Sequence, residues 1–349
     1  MRESKLADRT APLMPGFEPI PGYVLVRRRG RGGFGEVWEA ETTIGLRVAL
    51  KFVHGTGRAQ SGEFRALELT RHIRHPHLLA NFAAWQIGGR LVVGMELADG
   101  SLWDRYIRSA DEGLGGIPRS ELLGYLGDAA EALDWLNQPS HTLAGRPGLG
   151  VQHRDIKPPN ILIFGDRAKV ADLGMARAID GERSEPSGTC SFPYAPPEFF
   201  EGRAARESDH YGLAVSYCQV RRGRLPFEGD AASMTAGHLY GVPDLSGLPE
   251  AEVPIIARAL AKKADDRWPD CRSLIAVLRD LDPIESPETL TRIEEPAEPV
   301  RSSTGFAWVS SADSGNTPPP SWRPFEPGGG LEALMRTPET PLPEESRPR

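Results

Sequence analysis

The side chains best suited to chemistry lie in one short segment of the chain, residues 153–162. It carries a carboxylate, an ammonium group and an amide, on Asp155, Lys157 and Asn160. A second carboxylate, Asp172, follows further along the chain. Carboxylate oxygens suit a hard cation such as Mg²⁺, and phosphoryl transfer depends on cations and in-line positioning more than on covalent chemistry. The segment therefore indicates a centre for phosphoryl transfer.

A glycine-rich motif near the N-terminus is a second chemical signal. Residues 30–37 fit G-x-G-x-x-G-x-V, in which glycines let backbone N–H groups approach phosphate oxygens. In dinucleotide-binding folds a helix follows such a motif, whereas here the strand-like run Val37–Glu41 follows. We therefore predict a hairpin that covers a nucleotide, with Phe34 shielding the phosphate from water. The predicted nucleotide contacts are Gly30, Arg31, Gly32, Gly33, Phe34, Gly35 and Val37.

A lysine follows the glycine motif in the run Val-Ala-Leu-Lys at residues 48–51. In a strand, alternate residues share a face, so Ala49 and Lys51 point the same way. The small alanine leaves room for an adenine ring, and the lysine can then reach the phosphates. Such a lysine needs an acidic partner. We prefer Glu63, because the apolar Leu67 follows it four residues later, and we keep Glu68 as the alternative.

These motifs together resemble the eukaryotic-type protein kinase superfamily, and most closely its bacterial serine/threonine members. The matching residues are the glycine motif, Lys51, the segment 153–162 and Asp172-Leu173-Gly174, where leucine replaces the usual phenylalanine. The resemblance implies that Asp155 accepts the proton of the substrate hydroxyl and that Lys157 neutralises charge on the transferred group. It also implies that Asn160 and Asp172 bind Mg²⁺, with Mn²⁺ as an alternative, beside ATP.

The resemblance also assigns the linker between two lobes and its nucleotide contacts. Met95 would border the back of the pocket, while the Glu96 carbonyl and the Leu97 N–H would bind adenine. Leu162 is a further predicted nucleotide contact. Asp99 or Ser101 would then contact the ribose.

The substrate segment, residues 188–198, departs from the family pattern. Two extra residues separate Thr189 from Tyr194, and Pro196 replaces alanine. Counting back from Tyr194, Ser191 takes the place of the threonine that contacts the catalytic Asp and Lys, and Thr189 stays as the alternative.

Further pairs follow from the resemblance. Glu198 should pair with Arg267, and Asp209 should brace the catalytic loop. Arg154 and Arg177 are candidates to bind a phosphorylated activation segment, or else they pair with local carboxylates. The candidate phosphosites are Ser184, Ser187 and Thr189.

The elements that must position these residues form two lobes of an α+β fold. We predict an N-terminal extension over residues 1–19, a β-rich lobe with one main helix over 20–96, and a larger helical lobe over 97–282. The predicted helices include Glu63–Ile73 and Glu121–Leu136, with a Gly/Pro-rich insertion at 137–150. The arginines 27–29 read as a solvated strand edge.

Residues 283–349 form a different kind of segment, with 13 of the 32 prolines and a charge of 6 − 11 = −5. Such a composition cannot bury enough apolar surface to fold, so we predict a disordered tail. The preferred interpretation is an inert solubilising tail, and its Ser-Pro and Thr-Pro pairs are the alternative, as candidate phosphosites or docking points for other proteins.

Composition limits the remaining functions. The net charge of −7 argues against nucleic acid as a partner. Three cysteines without metal-site spacing, no signal-peptide core and no long apolar run favour a cytoplasmic protein without a membrane span.

The resulting hypothesis is an ATP-dependent serine/threonine protein kinase with protein substrates, able to autophosphorylate. A catalytically silent scaffold would need a defect among Lys51, Asp155, Asn160 and Asp172, and the sequence shows none. A small-molecule phosphotransferase is disfavoured by Lys157 and the substrate segment.

Overall fold

An antiparallel sheet of strands dominates the N-terminal part of the computed structural model. The structure describes residues 12–32, 35–54, 64, 66–68, 70, 72–143, 145–179, 191–203 and 205–281, and the backbone of 307–308. Its strands are β1 (Tyr23–Gly32), β2 (Gly35–Thr42), β3 (Arg47–Val53), β4 (Asn81–Ile87), β5 (Arg90–Met95) and β12 (Ala307–Trp308). They lie in the order β12-β1-β2-β3-β5-β4.

The two faces of this sheet have different partners. Trp38, Leu50 and Phe52 pack on one face, in a cluster confined to the N-terminal part. Val37 and Ala49 alternate with them and pack on the other face, in a cluster that also contains Leu162 from the C-terminal part. The second face therefore looks onto the cleft between the lobes.

The C-terminal part is mostly helical around one large core. Its helices are α1 (Leu102–Asp111), α2 (Arg119–Asn137), α3 (Pro197–Phe200), α4 (Ser208–Arg222), α5 (Ala231–Tyr240), α6 (Val253–Ala259) and α7 (Cys271–Arg279). Helix α2 buries Leu122, Leu126, Leu133 and Leu136, which recur at helical spacing. Asp230 and Asp270 cap α5 and α7 by accepting backbone N–H groups.

Short strands in this part frame residues 153–160, the predicted catalytic segment. They are β6 (Gly100–Ser101), β7 (His141–Leu143), β8 (Arg146–Gln152), β9 (Ile161–Phe164), β10 (Arg167–Val170) and β11 (Arg177–Ile179). Strand β9 pairs with β10 and β6, and β8 pairs with β7 and β11. Residues 153–160 therefore leave one small sheet and enter the other, which fixes both ends of the segment.

Several local expectations need correction. The Gly/Pro-rich insertion at 137–150 is largely a β-hairpin of β7 and β8. Ile73 lies outside the helical residues, which are described only between 64 and 70.

The predicted tail contains one described element. Ala307 and Trp308 pair with Arg31 and Gly30 on the free edge of β1. The limits of the lobes and the disorder of the rest of the tail stay predictions. Among the described residues, no helix has the length and apolar character needed to cross a membrane.

Candidate active site

The glycine motif forms a tight hairpin between β1 and β2. Gly30 pairs with Val37, Arg31 with Glu36, and Gly32 with Gly35. Gly35 has a φ of 152°, and a Cβ there would lie 2.1 Å from the carbonyl oxygen of Phe52. Only glycine fits this close approach of β2 to β3. Gly33 and Phe34, the other two predicted contacts of the motif, lie outside the described residues.

Lys51 projects from β3 into the cleft. It is 4% exposed, and its neighbours across the sheet are Val37 on β2 and Val93 on β5. Its Nζ donates a hydrogen bond to Asp172 Oδ1 at 2.8 Å. This contact joins the N-terminal sheet to the C-terminal part across 121 residues of sequence.

Asp172 is held in an unusual backbone conformation, with a φ of 64°. Left-handed backbone at a non-glycine residue is uncommon and is concentrated at functional sites. Burial alone would raise the pKa of Asp172, but the charge and hydrogen bond of Lys51, with the charge of Lys157, bring the pKa below its usual value. The carboxylate is therefore kept ionised beside a cation.

The catalytic segment concentrates its polar groups on Asp155. Asn160 Nδ2 donates to Asp155 Oδ2 at 3.0 Å and to the Asp155 carbonyl at 2.8 Å. Lys157 Nζ lies 2.8 Å from the same Oδ2. The other carboxylate oxygen, Oδ1, is buried and has no hydrogen-bond partner among the described residues. A buried acceptor is expected to be satisfied, so Oδ1 is available for a substrate donor.

The backbone of the catalytic segment is braced by Asp209 at the start of α4. Its two carboxylate oxygens accept the N–H groups of His153 and Arg154, each at 2.8 Å. Arg154 has a φ of 71°, a strained conformation that these bonds hold in place. His153 is fully buried, and its Nε2 lies 2.9 Å from the Ala171 carbonyl. The bracing role implied for Asp209 matches these contacts.

The substrate segment meets the catalytic segment at Ser191. Lys157 Nζ donates to Ser191 Oγ at 2.6 Å, and both side chains are buried. Of the two alternatives, the structure therefore places Ser191 against the lysine, and Thr189 lies outside the described residues. Arg267 donates two hydrogen bonds to Glu198, at 2.8 and 2.7 Å, as the family pattern implied.

A cleft that is partly open to solvent joins these groups, and its empty space, including the part open to solvent, is about 690 Å³. Its walls include six of the predicted site residues: Val37, Lys51, Met95, Asn160, Leu162 and Asp172. Asp155, the predicted catalytic residue, is connected to this wall through its hydrogen bond from Asn160.

The linker between the lobes is held from both sides. The Glu96 carboxylate accepts the Ala80 N–H at 2.8 Å and pairs with Lys169, so its side chain is used structurally. Leu97 is half-buried against the cleft cluster, which also contains Ala49. Ser101, a predicted ribose contact, is instead fully buried as the N-cap of α1.

Two predicted assignments are not resolved by the described residues. Glu63 lies outside them, and Glu68 is exposed on its helix. The preference for Glu63 as the partner of Lys51 therefore stays a prediction. The candidate phosphosites Ser184, Ser187 and Thr189 also lie outside the described residues, while the Arg154 guanidinium stacks over Phe199 at 5.7 Å.

The sequence interpretation missed Arg29. Arg27 and Arg28 have side chains 45% and 46% exposed, as expected of a strand edge, but Arg29 is 5% exposed. Its guanidinium donates to the carbonyls of Ala98 and Asp99. Alternation alone would put Arg27 and Arg29 on the same face. Irregularities in the pairing of β1 at Leu25/Arg27 and Arg28/Gly30 change the register here, so the burial of Arg29 could not be read from the sequence pattern.

Comparison with known proteins agrees with this geometry. The protein kinase domain profile matches residues 23–285. The chain is 29% identical to Serine/threonine-protein kinase PknE of Mycobacterium bovis, covering 97% of this chain and 59% of that protein. It is 29% identical to PknH of Mycobacterium tuberculosis (80% of this chain, 45% of that protein) and 30% identical to PknF (74% and 56%). The chain thus spans less than two thirds of these relatives.

The chain belongs to the protein kinase family. Its relatives are bacterial serine/threonine kinases, which confirms the resemblance drawn from the motifs. The two-lobed α+β fold is confirmed as well. Members of this family use ATP and a divalent cation as a general property.

Proposed function

We propose that this chain transfers the γ-phosphate of Mg-ATP to serine and threonine hydroxyls of proteins, including its own. The observation that carries the proposal is the arrangement around Asp155. A buried carboxylate oxygen without a protein partner lies beside Lys157 and Asn160, and these connect to the cavity that contains Lys51 and Asp172. A family member that had lost activity would be expected to have lost at least one of these groups.

The residues present fit a divalent cation and a nucleotide. Asp172 stays ionised, and the Asn160 amide donates its N–H to Asp155, which leaves its oxygen as an acceptor. One carboxylate and one amide oxygen are hard ligands of the kind Mg²⁺ prefers. Bound there, the cation would neutralise charge on the phosphates.

The chain's own side chains would do the rest. Asp155 Oδ1 would accept the hydrogen bond of the substrate hydroxyl and take its proton as the oxygen attacks phosphorus. Lys157 Nζ, shared between Asp155 and Ser191, would place positive charge next to the transferred group and tie it to the substrate segment. Lys51 would orient the nucleotide phosphates from strand β3, on the cleft face of the sheet.

The nucleotide base would lie against the linker. The Glu96 carbonyl and the Leu97 N–H are our proposed adenine contacts, with Ala49, Met95 and Leu162 around the ring. We also propose that serine and threonine, rather than tyrosine, are the acceptors, because the relatives are named serine/threonine-protein kinases and the resemblance assigns a lysine at the place of Lys157 to that class. The Ser-Pro and Thr-Pro pairs of residues 283–349 remain our candidate docking points for other proteins.

The decisive experiment compares Asp155→Asn with Asp166→Asn. Asp166 is an exposed carboxylate in the turn between β9 and β10, so its variant makes the same chemical change away from the cavity. Asp155→Asn should lower kcat by about a hundredfold or more, the lower range of general-base effects. Its affinity for Mg-ADP, measured by calorimetry, should stay within about twofold of wild type because no nucleotide contact is removed.

Three results would contradict the proposal. Undiminished transfer by Asp155→Asn would remove Asp155 from catalysis. Nucleotide binding by the wild type without transfer to any protein, including itself, would favour a scaffold. Transfer to aminoglycosides or choline in preference to a generic basic protein would favour a small-molecule phosphotransferase.

A further inference from the structure

Arg29 connects strand β1 of the N-terminal sheet to the linker between the lobes. It is the last residue of β1 before the glycine motif, and only 5% of it is exposed. Its NH2 group donates to the Ala98 carbonyl at 3.0 Å and to the Asp99 carbonyl at 2.9 Å. Sixty-nine or more residues separate the donor from these acceptors. This is a long-range connection at the mouth of the nucleotide cleft.

The arginine is held from the other side by Glu39. Glu39 Oε2 lies 3.6 Å from Arg29 and accepts a 2.8 Å hydrogen bond from Arg27. Glu39 Oε1 accepts a 3.2 Å hydrogen bond from Arg47. Glu39 is itself only 7% exposed. Arg29 is therefore fixed between a buried anion and two backbone carbonyls, a geometry that restricts its side chain to one position.

Strand alternation places this cluster on the cleft face of the sheet. Glu39 is two residues from Val37 on β2, and Arg47 is two residues from Ala49 on β3. Val37 and Ala49 belong to the cleft cluster, and side chains two apart in a strand share a face. The charged cluster therefore lies on the same face of the sheet as the cavity and extends from the cavity to the linker.

The hydrogen bonds that Arg29 makes between β1 and the linker have a physical consequence for binding. The linker joins the two lobes. A nucleotide bound between the cleft face of the N-terminal sheet and the linker needs a fixed distance between that sheet and the linker. Holding that separation before binding lowers the entropy that the complex must lose. The hydrogen bonds of Arg29 are buried and charge-assisted, and such bonds are stronger than neutral ones. They can therefore resist a widening of the cleft at the linker.

We propose that Arg29 is a positioning residue for the nucleotide: it fixes the base of the glycine hairpin to the linker and so sets the width of the cleft mouth. The inference rests on the proposed function, since it concerns the affinity of the same cleft for ATP. Arg29 need not touch the reacting atoms, and its effect should be on binding and not on the chemical step.

The test compares Arg29→Leu and Arg29→Lys with Arg28→Leu. Arg28 lies on the same strand with its side chain 46% exposed, so its variant removes an equal charge from outside the cleft. Calorimetry with Mg-ADP should show a dissociation constant about tenfold higher for Arg29→Leu, equivalent to about 1.4 kcal/mol. Arg29→Lys should lie between wild type and Arg29→Leu, because one ammonium can reach only part of the acceptor set.

Kinetics and thermal unfolding separate positioning from a structural role. For Arg29→Leu, the KM for ATP should rise in parallel with the dissociation constant while kcat stays within about twofold. Arg28→Leu should match wild type in all three measurements. Thermal unfolding without nucleotide reports general damage, and Arg29→Lys provides a folded variant if the leucine variant does not fold.

The outcomes distinguish this inference from the proposed function. If Arg29→Leu, or Arg29→Lys where the leucine variant does not fold, binds Mg-ADP as tightly as wild type, the inference about Arg29 is overturned and the proposed function is not. A fall in kcat with unchanged KM would also overturn it. Failure of the wild type to bind any Mg-ADP would overturn the proposed function, and the inference with it.

Discussion

Glu198 and Arg267 form a buried ion pair that ties the substrate segment to the residues before α7. Both are almost fully buried, and Ser208 adds a 2.6 Å hydrogen bond to the same carboxylate. Such a pair contributes little net energy compared with an apolar contact, but loss of one partner leaves a charge buried without compensation. The pair therefore makes the position of the substrate segment sensitive to single changes.

Glu198→Gln should lower the free energy of unfolding by about 3–5 kcal/mol, because Arg267 would keep its charge in a dry site. The measurement is urea unfolding at neutral pH. Glu201→Gln is the matched control: Glu201 pairs with Arg203 at the surface, where such pairs contribute about 0–1 kcal/mol. Equal losses for the two variants would contradict the buried-pair argument.

The same pair predicts a dependence of stability on pH. Burial tends to raise the pKa of Glu198, but the hydrogen bonds and charge of Arg267, with Ser208, bring it below its usual value. A lowered carboxyl pKa stabilises the folded state above the unfolded pKa, about 4.3, and this stabilisation is lost as pH falls through the folded value. The stability advantage of wild type over Glu198→Gln should thus shrink below about pH 4. An advantage constant down to acid pH would contradict it.

Ser191 offers a test of the substrate segment at single-residue scale. Ser191→Ala removes the 2.6 Å acceptor of Lys157 and should lower kcat about tenfold, the effect of misplacing one charged group near the reaction. The KM for ATP should not change, because Ser191 is not among the described residues that line the cavity. Ser191→Thr keeps the hydroxyl and should retain most activity. An unaffected kcat in Ser191→Ala would leave Thr189 as the residue that contacts the lysine.

At the scale of elements, the glycine hairpin depends on the close approach of β2 to β3. Gly35→Ala would place a methyl group 2.1 Å from the Phe52 carbonyl and force the strands apart. We expect the dissociation constant for Mg-ADP to rise at least about tenfold. Gly45→Ala is the control, since Gly45 also has a positive φ, +79°, but meets nothing within 4 Å. Equal effects would show that backbone strain alone, and not the clash, is responsible.

The elements that the sequence predicted well are those with regular apolar spacing. Helix α2 was expected over Glu121–Leu136 and is found at Arg119–Asn137, because its buried leucines recur every three or four residues. The β7–β8 hairpin was missed because Arg146, Pro147 and Gly148 are exposed and show no alternation. Its pairing partner β11 lies beyond the catalytic segment, so local sequence carries little of the signal.

Contacts within the site could be predicted where both partners belong to one short motif. They could not be predicted where the hydrogen-bond acceptor is a main-chain carbonyl far away in the sequence. Lys157 and Asn160 lie within a few residues of Asp155, so their contact follows from the motif. The acceptors of Arg29 are main-chain carbonyls on another element, which no side-chain pattern marks. Ser101 was misassigned because a hydroxyl near the ribose position also makes a good helix cap.

At the scale of the whole molecule, every described residue of the cavity precedes residue 282, while Ala307–Trp308 returns to the edge of β1. Truncation after Leu281 should therefore leave Mg-ADP affinity and kcat within about twofold of the full chain. The control is a full-length chain with Ala307→Pro, which removes one backbone donor from the added strand. A larger change in both variants would show that pairing on β1 contributes to activity.

Arg29 also bears on the search for chemical probes of this chain. A small molecule that enters the cavity and extends toward the outer linker would find the carbonyls of Ala98 and Asp99 already accepting from the guanidinium. Compounds whose affinity relies on donating to those carbonyls should discriminate against this protein.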